Sequence, residues 1–169
     1  MVEAGDAEAI LAIYNPEVVE TTVTFDLYPR SLSEQLMWIA EHQGAHPAIV
    51  CVDDEADGDL HGARGEIIVG FAALGPYRAR AAYATTAEDS VYVERSARGR
   101  GVGRLLLADL LEVAAGGGFH SVIGRIVGEN EASIELHQRC GFELVGVERE
   151  VGRKHGRWLD VVELQRLLG

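Results

Sequence analysis

The sequence predicts a mixed α/β domain, and three observations carry that prediction. Up to Pro47 the apolar residues recur at helical spacing; beyond it they gather into strand-length runs, Ala-Ile-Val-Cys-Val at 48–52 and Ile-Ile-Val-Gly-Phe-Ala-Ala-Leu at 67–74. An alternating strand at 90–94 runs into a glycine-rich turn, an amphipathic helix and a second strand at 121–127. That order is the crossover unit whose right-handed path makes its two strands parallel neighbours. Two closing strands, at 142–147 and 158–164, complete the sheet.

The elements follow in order. Val2-Glu-Ala is at most a short first strand, after which Asp6 caps a helix carrying Ala9, Ile10, Ile13 and Tyr14 on one face. Asn15-Pro16 is expected to stop it. Residues 21–25 have strand composition but lie between two helices, so they also read as an extended connection. Ser31 or Ser33 then caps a second helix with Leu32, Leu36, Ile39 and Ala40 as its buried stripe. The acidic segment 53–65 has aspartates at alternate positions, yet it lacks the D-x-D-x-D-G order and the twelfth-position glutamate of a calcium loop. It reads as a solvated hairpin loop without chemistry. The third helix carries Val102, Leu106, Leu110 and Ala114 on one stripe with Leu107 and Leu111 beside it, and ends at the glycines 116–118. A fourth runs from Asn130 or Glu131 through Cys140 to a stop at Gly141, and residues 149–157 join the last two strands.

Composition narrows the function classes. The 169 residues, 47% hydrophobic, fit one domain spanning 1–169. Fifteen basic against 27 acidic side chains give a net charge of −12, which argues against a general binder of nucleic acid or anionic membrane. Cys51 and Cys140 follow no metal-ligand spacing and are too few to staple the domain, so they are expected as reduced thiols, with no metal site. With no basic leader and no run near the ~20 apolar residues of a membrane span, the chain is expected in the cytoplasm.

Against that acidic background, residues 95–104 (Arg-Ser-Ala-Arg-Gly-Arg-Gly-Val-Gly-Arg) concentrate four arginines and three alternating glycines at a helix start. Glycines let successive backbone N–H groups share one concavity, and the first N–H groups of the helix are unpaired at the positive end of its dipole. This is an anion site in outline. A Walker A loop would need Lys-Ser or Lys-Thr where Arg104 and Leu105 stand, and the dinucleotide fingerprint needs G-x-G-x-x-G rather than G-x-G-x-G. An ordinary helix start with surface arginines stays open on this stretch alone.

Residues 98–103 also meet the pattern Arg/Gln-x-x-Gly-x-Gly/Ala, and residues 130–142, an asparagine opening a helix that closes on Gly141-Phe142, form a second motif at matching separation. In both the chain resembles the GCN5-related N-acetyltransferases, and over nearly its whole length the phosphinothricin-type amino-acid acetyltransferases. Ile-Tyr-Asn at 13–15, Thr-Val-Thr-Phe at 22–25, Gly-Pro-Tyr-Arg-Ala-Arg at 75–80, Thr-Ala-Glu at 86–88 and Lys-His-Gly-Arg-Trp-Leu-Asp at 154–160 carry the closer likeness. It departs at the acidic loop, longer than usual, and at the shortened first strand.

The resemblance implies a mostly antiparallel sheet of about six to seven strands flanked by about four helices, with a parallel pair at the CoA site. It implies acetyl transfer from acetyl-CoA to an amine in a ternary complex. The pyrophosphate falls to Arg98, Gly99, Arg100, Gly101, Val102, Gly103 and Arg104, mainly through backbone donors, with Asn130 and Ser133 from the second motif. Val91, Tyr92 and Val93 take the pantetheine arm and donate to the thioester oxygen. Glu88 matches the general base, directly or through water; its plain reading is a surface carboxylate. His137 stands where many members carry a tyrosine, implying an acid or thiolate stabiliser, beside the plain reading of a structural histidine. Arg78 and Arg80 are candidates to clamp a substrate carboxylate, or are surface charges, with Tyr83 and Phe25 walling the pocket and Lys154 nearby. Segment 154–158 resembles one used across a dimer interface, implying a homodimer. Acetylation of protein N-termini or lysines, and acyl-CoA sensing without turnover, are the competing functions.

Overall fold

The structure is a computed structural model and describes residues 1–53 and 59–169. Six strands form one sheet: β1 (Ala48–Asp53), β2 (Ile67–Pro76), β3 (Thr86–Val93), β4 (Ser121–Val127), β5 (Glu143–Lys154) and β6 (Arg157–Leu167), in the order β1-β2-β3-β4-β6-β5. Every neighbouring pair is antiparallel except β3 and β4, the parallel pair expected from the crossover. Among the described residues four α-helices accompany it: α1 (Ala7–Glu20), α2 (Leu32–Glu41), α3 (Val102–Gly116) and α4 (Glu131–Arg139). Among the described residues no helix is long and apolar enough to cross a membrane.

Helices cover the two faces unequally. On one face Leu106, Leu107, Leu110 and Leu111 of α3 pack on Ile49, Leu74, Ala87, Val122, Ile126 and Leu164, so this core reaches from β1 across to β6. On the other, Ile10, Ile13, Tyr14 and Val18 of α1 and Ile39 of α2 pack on residues of β1, β2 and β3. Leu144, Val145, Val147 and Val151 of β5 and Trp158 of β6 are exposed.

Several elements differ from their sequence expectation. No strand forms at residues 2–4; Val2 is buried and its N–H donates to the Ala48 carbonyl at 3.0 Å before a single 3₁₀ turn. Helix α1 does not stop at Asn15-Pro16 but continues to Glu20, because Glu17 and Val18 beyond the proline are buried and tertiary packing outweighs the lost hydrogen bond. Asn15 is held by exchanging two 2.9 Å hydrogen bonds with the Arg30 backbone. Ser31 does cap α2, reciprocally with Glu34, but the buried face carries Gln35 and Ile39, while Leu32 and Leu36 are exposed. In this orientation Trp38 also meets Phe71 edge-on at 5.9 Å. Residues 21–25 are the extended connection rather than a strand.

Strand β3 starts at Thr86, four residues before the visible alternation, since pairing with Pro76, Gly75 and Leu74 of β2 extends it through polar residues. Residues 149–157 are largely strand: β5 and β6 continue to a tight turn at His155 and Gly156, both at positive φ. Of the acidic segment, residues 54–58 lie outside the described residues, so the solvated-loop expectation for them has no structural counterpart here. Its far end is anchored, since Asp6 accepts from the Ala63 N–H at 2.6 Å.

Candidate active site

Strands β3 and β4 pair for only four residues, Thr86–Asp89 against Ser121–Gly124. Past Asp89 and Gly124 they separate, β3 staying with β2 as far as Val93 and β4 staying with β6 as far as Val127. Among the described residues, 90–93 therefore have no partner strand on one side, and half of their backbone groups face the opening. A cleft of about 600 Å³ fills the fork, lined by residues 90–93, the glycine turn, Arg125 and Ile126 of β4, and α4.

Two helices start at this cleft. Gly99 and Gly101 have φ of 76° and 89°, a region that costs a side-chain-bearing residue about 1–2 kcal/mol, and Gly101 is the N-cap residue of α3. A Cβ on Gly103 would sit 3.2 Å from Leu136 of α4, so this glycine lets the two helices approach. Asn130 caps α4 by accepting from the Ser133 N–H at 3.2 Å. The unpaired N–H groups and positive dipole ends of both helices thus serve one cavity, the arrangement that receives a phosphate.

The four arginines of the turn divide the work differently from the sequence expectation. Glu17, buried on α1, takes hydrogen bonds on a single oxygen from Arg95 at 3.0 Å and Arg98 at 2.8 Å. Arg98 also donates to the Val93 carbonyl at 3.2 Å, so its guanidinium fastens the turn to β3 and α1. Arg100 pairs with Asp53 at 2.7 Å. Arg104 lines the cleft without an ion pair among the described residues. Sequence reading missed Glu17, because it was expected to lie beyond the end of its helix.

Glu88 lies on the opposite face from α3. Ala87 and Val91 of β3 point into the α3 core and Tyr92 into the α1–α2 core, so Glu88 shares its face with Ser90 and Tyr92. Burial raises its pKa; Arg125 opposes the rise, and the charges of Asp89, Glu163 and Glu148 add to it. Arg125 is hydrogen-bonded to Glu148 of β5 and registers opposite Glu163 of β6, whose carboxylate accepts from the Tyr77 hydroxyl at 3.3 Å. Arg125, Glu148 and Glu163 were absent from the sequence candidates, since only the β3-β4-β6-β5 order brings them beside Glu88.

Tyr77 links this carboxylate group to the expected acceptor segment. Arg78 lies over the rings of Tyr77 and Tyr83, 4.7 and 5.6 Å from their centroids, and the two rings meet edge-on. Arg80 is exposed. Phe25 has other neighbours: its ring covers Gly152 of β5 so closely that a Cβ there would lie 2.3 Å from it. Lys154 is buried, and its ammonium donates to the Thr24 carbonyl at 2.7 Å. Burial lowers its pKa, against the raising charges of Asp26 and Glu17. Lys154 thus ties the α1–α2 connection to β5 and is not presented to a ligand.

His137 is also placed differently from expectation. It is buried, Nδ1 lies 2.7 Å from the Ser133 carbonyl and Nε2 lies 2.9 Å from Asp89 Oδ2, so neither nitrogen is free to meet a thiolate directly.

Replacing Gly101 by alanine should destabilise the fold by about 1–2 kcal/mol and weaken CoA binding. Thermal unfolding and calorimetry check this; unchanged affinity would show that the backbone shape of the turn is irrelevant to the ligand.

Comparison with known proteins agrees with this architecture. Residues 8–142 match the acetyltransferase (GNAT) family. The phosphinothricin N-acetyltransferase of Streptomyces coelicolor is 40% identical over 163 residues, covering 96% of this chain and 91% of its own. The L-methionine sulfoximine/L-methionine sulfone acetyltransferase of Pseudomonas aeruginosa is 38% identical, with 95% and 88% covered. Among solved structures, a phosphinothricin acetyltransferase from Sinorhizobium meliloti in complex with AcCoA superposes with a TM-score of 0.88 at 36% identity, covering 99% of this chain and 86% of its own. The chain is a member of the GNAT acetyltransferase family.

Proposed function

We propose that the protein transfers an acetyl group from acetyl-CoA to the α-amine of a small amino-acid analogue of the phosphinothricin, methionine sulfoximine or methionine sulfone type. The observation that carries this reading is the fork: a phosphate-binding helix start on one side and Glu88, with a raised pKa, at the last paired residues on the other.

The residues present fit acetyl-CoA. The 600 Å³ cleft, two helix N-termini and Arg104, without an ion pair among the described residues, suit its phosphates, and the strand edge at 90–93 suits an amide-bearing arm. When bound, the thioester supplies the activated acetyl group. Backbone N–H groups at 91–93 provide hydrogen bonds for charge developing on its oxygen. Glu88 takes the proton that an ammonium must lose before its nitrogen can attack. Burial favours the neutral carboxyl and so strengthens this group as a base. Arg78, held over two tyrosine rings, faces an acceptor carboxylate in this reading, with Arg80 beside it. A short, ring-walled segment of this kind suits a free amino acid better than an extended peptide.

We also infer a homodimer, supported by the exposed apolar residues of β5 and by Trp158 beside the hairpin turn. Sedimentation should give twice the 18.3 kDa chain mass, and a monomer at micromolar concentration would remove this inference. Cytoplasmic residence fits the free thiols Cys51 and Cys140 and is checked by cell fractionation.

The deciding experiment measures CoA release with phosphinothricin, methionine sulfoximine, methionine sulfone, ordinary amino acids and short peptides. Turnover with peptides alone would exclude the proposed acceptor class. With the accepted substrate, Glu88→Gln should lower kcat/KM by about 10²–10⁴-fold. The wild-type rate should fall as pH drops through the raised Glu88 pKa, because only the ionised form accepts a proton. That acid limb should lie above the ordinary carboxylate value of about 4.3 and vanish in the variant. Full activity of Glu88→Gln at neutral pH would reassign the base.

A further inference from the structure

Asp89 and His137 form a buried pair at the apex of the fork, their side chains 1% and 4% exposed. The connections of this pair determine its protons. A carbonyl oxygen only accepts, so the 2.7 Å contact with Ser133 requires a hydrogen on His137 Nδ1. One proton then lies between Nε2 and Asp89 Oδ2, 2.9 Å apart. The ring lies close over Gly124, the residue paired with Asp89, where a Cβ would come within 2.8 Å of its Cδ2, and Phe142 meets it edge-on at 5.0 Å. Asp89 also lines the cleft, and its other oxygen, Oδ1, has no hydrogen-bond partner among the described residues.

Consecutive residues of β3 therefore put two acids to work on opposite faces. Glu88 faces the acceptor side, while Asp89 faces the donor side and is occupied by an imidazole. We propose that Asp89 is a positioning residue that keeps a proton on His137 Nε2, so that the pair stores one proton at the apex of the fork. Its use rests on the acetyl-transfer reading: the acceptor gives its proton to Glu88, and the leaving thiolate takes the stored proton through water in the cleft, which leaves Asp89 ionised and the ring neutral with its hydrogen on Nδ1. The storage itself does not depend on that reading.

The surroundings agree with a protonated ring. Burial lowers the His137 pKa, but the Asp89 hydrogen bond and charge and the Ser133 carbonyl outweigh it and carry the value above that of a free histidine. The other titratable or charged groups around the pair are Glu88 on the same strand, the Cys140 thiol at the end of α4, and Arg104 and Arg166, which act on that thiol from α3 and β6. None of these replaces Asp89 as the partner of Nε2.

The test is nitrogen-15 NMR of the His137 ring in the ligand-free protein, together with kcat against pH, for wild type and Asp89→Asn. In the wild type both ring nitrogens should carry hydrogen at pH 7.5, and the ring should titrate above the ordinary value of about 6.5. In Asp89→Asn the amide can donate to Nε2, so the ring should be neutral at pH 7.5 while keeping its hydrogen on Nδ1. For that variant kcat should fall on the order of 10²-fold, with the KM for acetyl-CoA within about twofold and the alkaline limb moved to lower pH. A neutral ring in the wild type at pH 7.5 overturns the proposal. So does an Asp89→Asn enzyme whose ring state and alkaline limb match the wild type. If the variant does not fold, the wild-type titration decides alone, and it decides equally if no acceptor supports acetyl transfer.

Discussion

The short parallel pairing of β3 and β4 is the constraint on which the rest of this structure depends. Each strand is committed elsewhere, β3 to β2 and β4 to β6, and both commitments continue beyond the point where the two part. Sheet twist then carries the halves away from each other. The gap exposes backbone along β3 and admits the starts of α3 and α4, and it puts residues 88 and 89 where the faces of the sheet communicate. A longer β3–β4 ladder would have made a stronger sheet and closed the site.

Charge is distributed around that gap with little left over. Glu17 and Glu20 between them balance Arg95 and Arg98, Asp53 takes Arg100, and Glu148 takes Arg125. The Glu17 arrangement holds the turn in shape: one buried carboxylate oxygen receives two guanidinium groups, and Arg98 reaches the β3 backbone as well. An arginine that reads in sequence as a ligand for phosphate is here a brace of the turn. On the acceptor face the excess runs the other way, three carboxylates around Arg125, which suits a site meeting its substrate as an ammonium.

Much of this was legible in the sequence because it is written in local signals. The period change at Pro47, the glycines at 99 and 101, the Ser31 cap and the asparagine at 130 each specify a backbone shape within a few residues. What stayed hidden was non-local. Glu17 follows a proline that ordinarily ends a helix, and only the packing of Val18 and its neighbours overrules it. Arg125, Glu148 and Glu163 sit on three strands whose adjacency follows from sheet order, not spacing. Lys154 and His137 have the composition of ligand-facing residues, yet their partners, Thr24 and Asp89, lie 130 and 48 residues away in the chain.

The Glu17 clamp also bears on how a polyanionic ligand finds the cleft. With Arg95, Arg98 and Arg100 balanced at close range by Glu17, Glu20 and Asp53, the turn projects little field into solvent beyond that of Arg104, and the molecule as a whole carries −12. A Debye length of about 8 Å at physiological salt hides most of that repulsion, but it provides no long-range attraction either. In the proposed reading capture is then a matter of contact more than steering, with backbone N–H groups and Arg104 meeting the phosphates only inside the cleft. Selectivity among anions accordingly rests on the shape of the turn and not on the pull of the surface.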